Sequence, residues 1–175
     1  TGLRRGEALG LHWSDVNLTE GWVKVAATLG RVGRELVITA PKTPRSRRMV
    51  PLSPAMVVLL KAQRVTQVTE RLHAGGRWVD SGLVFTTELG TPVDPRNVLR
   101  AIQIATAKAG VDVGVGVHTL RHSAAVSWLE AGTHIKAVAD LLGHSSISVT
   151  GDIYGHTSED TARAAIDGLS GALGL

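Results

Sequence analysis

With 175 residues and a 43% hydrophobic content, the chain can bury a real core as one domain, and no apolar run approaches the roughly 20 residues that cross a bilayer. Cysteine is absent, which excludes disulfides and thiolate metal sites and, with no visible secretory signal, makes a cytoplasmic setting the expectation; scarce aromatic residues argue against stacking on single-stranded bases. The formal charge of +4 is unevenly placed, with nine Lys/Arg against four Asp/Glu in residues 1–48 and one against four in residues 152–175, so the front half is either the footprint of a polyanion such as duplex DNA or a solvated surface.

Residues 3–11 read as a short helix despite Gly6 and Gly10. From Val16 to Leu52 the texture turns to β. Trp22-Val23-Lys24-Val25 and Glu35-Leu36-Val37-Ile38-Thr39 flank a turn at residues 30–34, and Arg48-Met49-Val50-Pro51 forms a third strand of a small antiparallel sheet. Between the second and third strands runs a basic loop, Pro41-Lys42-Thr43-Pro44-Arg45-Ser46-Arg47-Arg48.

The remainder reads as helical. Ser53-Pro54 makes an N-cap and first-turn pair, and Val58, Ala62, Val65, Thr69 and Leu72 recur at helical spacing before Gly75-Gly76. Residues 82–86 are a strand or buried connector. Pro95 opens a helix that ends at Gly110, Thr119 caps one closed by Gly132, and Thr133 caps one closed by Gly143. Ser158 caps a last helix with Ala162, Ala165, Ile166 and Leu169 on one stripe. The expected fold is α+β, a mostly helical single domain with one three-stranded antiparallel sheet.

Several residues have the chemistry of a phosphodiester site. Arg121, with Thr119 as N-cap, would stand in the first turn of its helix, where amides and guanidinium can jointly hold an anion or the cation is simply solvated. His118 lies just outside that cap, and His144 follows a helix stop, where an imidazole is commonly a C-terminal cap. Tyr154, the single tyrosine, is a packing residue or, given cations and a base beside it, a nucleophile. His118 and His122 have the spacing of a metal pair but lack the intervening Glu of the zincin pattern. Lys42 and Arg4 are phosphate contacts or solvated cations, and the same holds for Arg45, Arg47 and Arg48 in the basic loop.

These segments together resemble the catalytic domain of the tyrosine recombinases, the phage integrase family. Thr1-Gly2-Leu3-Arg4-Arg5-Gly6-Glu7 is similar to the first-arginine motif, Pro41-Lys42-Thr43 to the hairpin-lysine segment, and His118-Thr119-Leu120-Arg121-His122 to the H-x-L-R-H box. Leu142-Gly143-His144-Ser145 and Tyr154-Gly155-His156 are similar to the closing box and its nucleophile. Matching positions in this order across the whole chain are a specific signal.

The resemblance implies site-specific recombination or integration of double-stranded DNA through a 3′-phosphotyrosine, without metal, ATP or other cofactor. Tyr154 would attack the scissile phosphate, Arg4 and Arg121 hold its oxygens, His144 add a hydrogen bond, His118 handle the tyrosine proton and Lys42 protonate the leaving 5′-oxygen. It also implies that residues 1–175 are a catalytic-domain fragment, without the N-terminal DNA-binding domain and first helices of relatives, from a bacterial or phage-encoded protein. A homodimer or tetramer on DNA through the C-terminal helix is implied as well. The alternatives left open are a type IB topoisomerase, a non-catalytic DNA-binding module, and a metal-dependent hydrolase using His118, His122 and His144.

Overall fold

The computed structural model describes residues 1–41, 43, 46–111, 114–144 and 163. Its elements run in the order α1 (Arg5–Leu9), β1 (Val16–Asn17), β2 (Trp22–Val25), β3 (Thr28–Val32), β4 (Glu35–Thr39), β5 (Arg48–Pro51), α2 (Pro54–Ala74), α3 (Pro95–Lys108), α4 (Val117–Glu130) and α5 (Ile135–Leu142). The α+β class expected from the sequence is the one observed: among the described residues helices dominate, and the five strands lie in the first third. The last helix expected from Ser158 lies outside the described residues.

The strand pairing differs from expectation. The three-stranded sheet has the order β1-β2-β5, and β3 and β4 form a separate hairpin. Residues 30–32 are strand rather than turn, because Gly33, at φ +60°, makes the reversal alone with Arg34. β4 therefore pairs with β3, and β2 takes β1 and β5 as its neighbours.

Alternation along β2 and β5 builds the core. Val23 faces Val50 across the sheet, and both join Val25, Leu11, Leu60 and Val84 in one buried cluster. A second cluster of Ala125, Val138 and Leu142, flanked by Trp128, packs α4 on α5. Gly6 and Gly10 in the first helical segment serve close approach: a Cβ on Gly6 would lie 2.5 Å from Thr28 Oγ1, and one on Gly10 2.9 Å from the Leu29 amide. The absent side chains let α1 lie directly on β3.

Helix starts are partly where the sequence places them. Ser53 Oγ accepts from the Met56 amide with Pro54 in the first turn, and Asp94 caps α3 through the Arg96 amide. Helix α4, however, begins at Val117 after an extended Gly116, and Thr119 Oγ1 reaches back to accept the Gly116 amide at 3.1 Å. Likewise His134, not Thr133, caps α5, its Nδ1 accepting from the Lys136 amide. No helix among the described residues is long and apolar enough to cross a membrane.

Helix α2 turns out to be rotated relative to its sequence pattern. Its buried positions are Leu60, Gln67 and Ala74, while Val58, Val65 and Leu72 are 65%, 68% and 76% exposed. Gln67 is accommodated inside because Trp13 Nε1 donates to its Oε1 while its Nε2 donates to the Leu83 carbonyl and Thr86 Oγ1.

Candidate active site

The site is built around the C-terminal end of α5. Gly143 adopts the left-handed conformation, φ +66° and ψ 44°, and the His144 and Gly143 amides bond back to the Ala139 and Asp140 carbonyls. This pair of bonds satisfies two of the carbonyls that any helix leaves unpaired at its end. The carbonyls of Leu141, Leu142 and Gly143 are taken by three arginines from three other parts of the chain.

Arg121, from α4, donates through Nη2 to the Leu142 carbonyl at 2.8 Å and through Nη1 to the Gly2 carbonyl at 2.6 Å. Arg4, the residue before α1, donates to the Leu142 and Gly143 carbonyls at 3.4 and 3.2 Å. Arg48, from β5, donates through Nε to the Leu141 carbonyl at 2.7 Å. Cations at the negative end of a helix dipole are stabilising, so this cluster assembles with little electrostatic cost.

Glu7 holds the arginines in place. It is 4% exposed and receives Arg48 Nη1 and Nη2 at 3.1 and 2.9 Å, together with Arg4 Nη1 at 3.0 Å and the Arg4 amide at 2.9 Å. Burial works to raise its pKa, but the hydrogen bonds from Arg48 and Arg4 and the Arg48 charge outweigh it and hold the carboxyl below its ordinary range. Glu7 is thus an anionic hub that sequence reading missed. The available signal was its position three residues after Arg4, the spacing of a carboxylate that reaches back to a helix start.

His144 stands beside this cluster. Its pKa is lowered, first by burial and then by the positive charges of Arg121, Arg4 and Arg48, with Glu7 pulling the other way. The imidazole is therefore neutral at pH 7, able to donate one hydrogen bond and accept another. His118 lies exposed in the first turn of α4, three residues from Arg121 and so on a neighbouring face. Among the described residues, no group of three or more His, Asp or Glu has the arrangement of a metal site.

An open cleft of about 350 Å³ lies over Arg4, walled by Glu7, Thr28, Gly143 and the loop residues Pro41, Thr43 and Ser46. Pro41, Thr43 and Ser46 thus border the space above the arginines. Lys42, Arg45 and Tyr154 lie outside the described residues.

Two expectations change. Arg121 is the fifth residue of α4, not the second, because the helix starts earlier, and its guanidinium meets the carbonyl end of α5. Arg48, grouped by sequence with the exposed basic loop, has a side chain only 8% exposed and bonded to Glu7 and to the Leu141 and Ser46 carbonyls. Period-two alternation was the overlooked signal: Arg48 and Val50 point inward, while Arg47, Met49 and Pro51 are exposed. Arg47 stands in the loop as expected.

The chain belongs to the phage integrase family, whose model matches residues 1–161. It is similar to a tyrosine recombinase XerC-like protein of Caldanaerobacter subterraneus subsp. tengcongensis, 35% identical over 182 residues, covering 97% of this chain and 46% of that protein. Tyrosine recombinase XerD of Staphylococcus saprophyticus is 31% identical over 93% of this chain and 48% of its own length. The crystal structure of XerA recombinase superposes with a TM-score of 0.72 at 26% identity, over 94% of this chain and 52% of that one. The Tn1549 transposon integrase, in complex with transposon right end DNA, shares the fold with a TM-score of 0.79 at 23% identity, over 97% of this chain and 55% of that one. The chain spans about half the length of the relatives it matches.

Proposed function

We propose that this chain carries out the strand-cleavage and rejoining chemistry of a site-specific DNA recombinase acting on double-stranded DNA. The observation that carries this reading is the convergence of Arg4 and Arg121, from distant parts of the sequence, on the Leu142 carbonyl beside His144. Two guanidiniums gathered next to a neutral imidazole form an arrangement suited to the equatorial oxygens of a phosphate undergoing in-line attack.

In this reading Tyr154 Oη attacks phosphorus and the bond to the 5′-oxygen breaks, leaving a 3′-phosphotyrosine. His118 accepts the tyrosine proton and Lys42 gives one to the leaving 5′-oxygen. Arg4 and Arg121 stabilise the added charge, and His144 donates one hydrogen bond to it. Attack by a partner strand's 5′-hydroxyl reverses the step, so the phosphodiester energy is retained in the covalent bond and no nucleotide cofactor enters. Arg45 and Arg47 contact the DNA backbone, and residues 159–173 join protomers into a dimer or tetramer on DNA.

The test is trapping on nicked suicide duplexes, in which the cleaved strand diffuses away and leaves protein attached to DNA. The expected result is a covalent species that survives denaturation, forms equally well with chelator, and is lost in Tyr154→Phe while binding persists. A Tyr154→Phe protein that still cleaves would overturn the mechanism. Binding without any covalent species would leave a DNA-binding module instead. Relaxation of supercoiled DNA with no dependence on a defined site would favour a topoisomerase.

A further inference from the structure

The inner arginine of the basic stretch has a task that the recombinase reading leaves unassigned. Arg48 Nε holds the Leu141 carbonyl at 2.7 Å, its two terminal nitrogens clasp both oxygens of Glu7, and Nη1 also reaches the Ser46 carbonyl at 3.2 Å. No phosphate can reach this guanidinium without displacing bonds to a buried carboxylate. Beneath the turn that carries His144, the same group is packed so closely that a Cβ on Gly143 would lie 2.7 Å from Arg48 Nη1 and 3.0 Å from Cζ.

We propose that Arg48 is a positioning residue: it locks the C-terminal end of α5 onto β5 and α1, and so sets where His144 stands relative to Arg4 and Arg121. The proposal rests on the recombinase reading for its functional consequence, though the lock itself is a matter of protein geometry. One guanidinium meets three demands at once, a two-pronged contact with Glu7, an Nε donor to Leu141 and a flat surface under Gly143. A lysine ammonium is a single point charge and cannot meet all three.

The groups facing His144 come from every element of the cluster. Arg121 lies on α4, Arg4 precedes α1, Arg48 lies on β5, and Glu7 on α1 is the opposing charge. Removing Arg48 takes away one of three cations and loosens the turn, so the imidazole becomes easier to protonate.

The experiment compares Arg48→Lys and Arg48→Met with the unaltered protein in three measurements. DNA affinity is followed against salt concentration on a duplex probe, covalent trapping is followed on a nicked duplex, and the His144 imidazole is titrated by NMR in DNA-free protein. A positioning role predicts an unchanged salt slope for both variants and a fall in trapping rate of about a hundredfold, the scale of a misplaced reacting group. It also predicts an upward shift of the His144 midpoint in Arg48→Met. A phosphate contact predicts the opposite: the salt slope of Arg48→Met drops by about one unit, and Arg48→Lys stays close to the unaltered protein. That pattern, or an unmoved His144 midpoint, overturns the proposal. If Arg48→Met does not fold, Arg48→Lys retains charge and length and decides by trapping rate and salt slope. Should the unaltered protein form no covalent species, the recombinase reading fails by itself, while the His144 titration still judges the lock.

Discussion

Arg4 and Arg121 donate to the same carbonyl oxygen, that of Leu142, although the Arg4 side chain is 40% exposed and Arg121 is only 8% exposed. The two guanidiniums are therefore unequal. Arg121 is fixed between the Gly2 and Leu142 carbonyls by short bonds, while Arg4 makes longer contacts at the lip of the cleft. On the proposed function, Arg121 would serve as framework as well as phosphate contact, and the more exposed Arg4 would have more room to adjust to the phosphate.

That inequality predicts different behaviour on substitution. Arg121→Lys loses the fork that spans two carbonyls, so both stability and covalent trapping should fall, the latter by about a hundredfold or more. Arg4→Lys should reduce trapping while leaving the melting temperature nearer that of the unaltered protein. Calorimetry beside a trapping assay checks the pair, and equal loss of stability in both would contradict the assignment.

Glu7 predicts an acid-sensitive contribution to stability. Its native pKa is depressed, so the stabilisation is present above the unfolded value of about 4.3 and is lost as pH falls through the lower native value. At neutral pH Glu7→Gln should cost about 3–5 kcal/mol, because it leaves the buried Arg48 without its counter-charge. The gap between the two proteins should close on acidification, since protonation does to Glu7 what the substitution does. Denaturant unfolding across pH 3 to 7 measures this, and a constant gap would rule it out.

Gly143→Ala combines two penalties. The backbone at φ +66° is unfavourable for any residue with a Cβ, and that Cβ would press into Arg48. A loss of about 1–3 kcal/mol is expected, together with a displaced His144 resonance in the NMR spectrum. An unshifted resonance would mean that the turn has slack the geometry does not show.

Gln67→Leu tests the buried polar contact beneath α2. The substitution keeps the volume but leaves the Trp13 indole N–H and the Leu83 carbonyl without their partner. A loss of about 1–3 kcal/mol in urea unfolding is expected, with no change in salt-dependent DNA affinity. A neutral result would show that water replaces the amide.

The sequence disclosed local features better than long-range ones. Ser53-Pro54, Pro95 and Gly143 announce helix ends through their own backbone chemistry, and each does so in the structure. Pairing is less legible: residues 35–39 look equally good against either of two strands, and Gly33 decides between them by making the tighter turn. On α2, the stripe from Val58 to Leu72 and the stripe of Leu60, Gln67 and Ala74 both have helical periodicity. The second lies inside because Trp13 and the 83–86 segment supply partners for its amide. Arg4, Arg121 and His144 were linked by family resemblance, since no local pattern shows that the N-terminal segment and α4 meet at the end of α5. Glu7 carries no local sign of its burial, and Arg48 reads as a DNA contact or a solvated cation, because a charged residue in a short helix or beside a basic loop looks exposed until its burial is known.

The bonds from Arg4 to Gly143 and from Arg121 to Gly2 tie the beginning of the chain to its later helices across more than a hundred intervening positions. Contacts of such long sequence separation carry a large closure entropy and depend on most of the intervening fold being in place. The arginine cluster therefore cannot exist on a chain whose synthesis has stopped short of α5. A truncated or half-folded copy would lack the assembled pair of guanidiniums. On the proposed function, competence to break a DNA strand would be restricted to molecules that have completed this part of the fold.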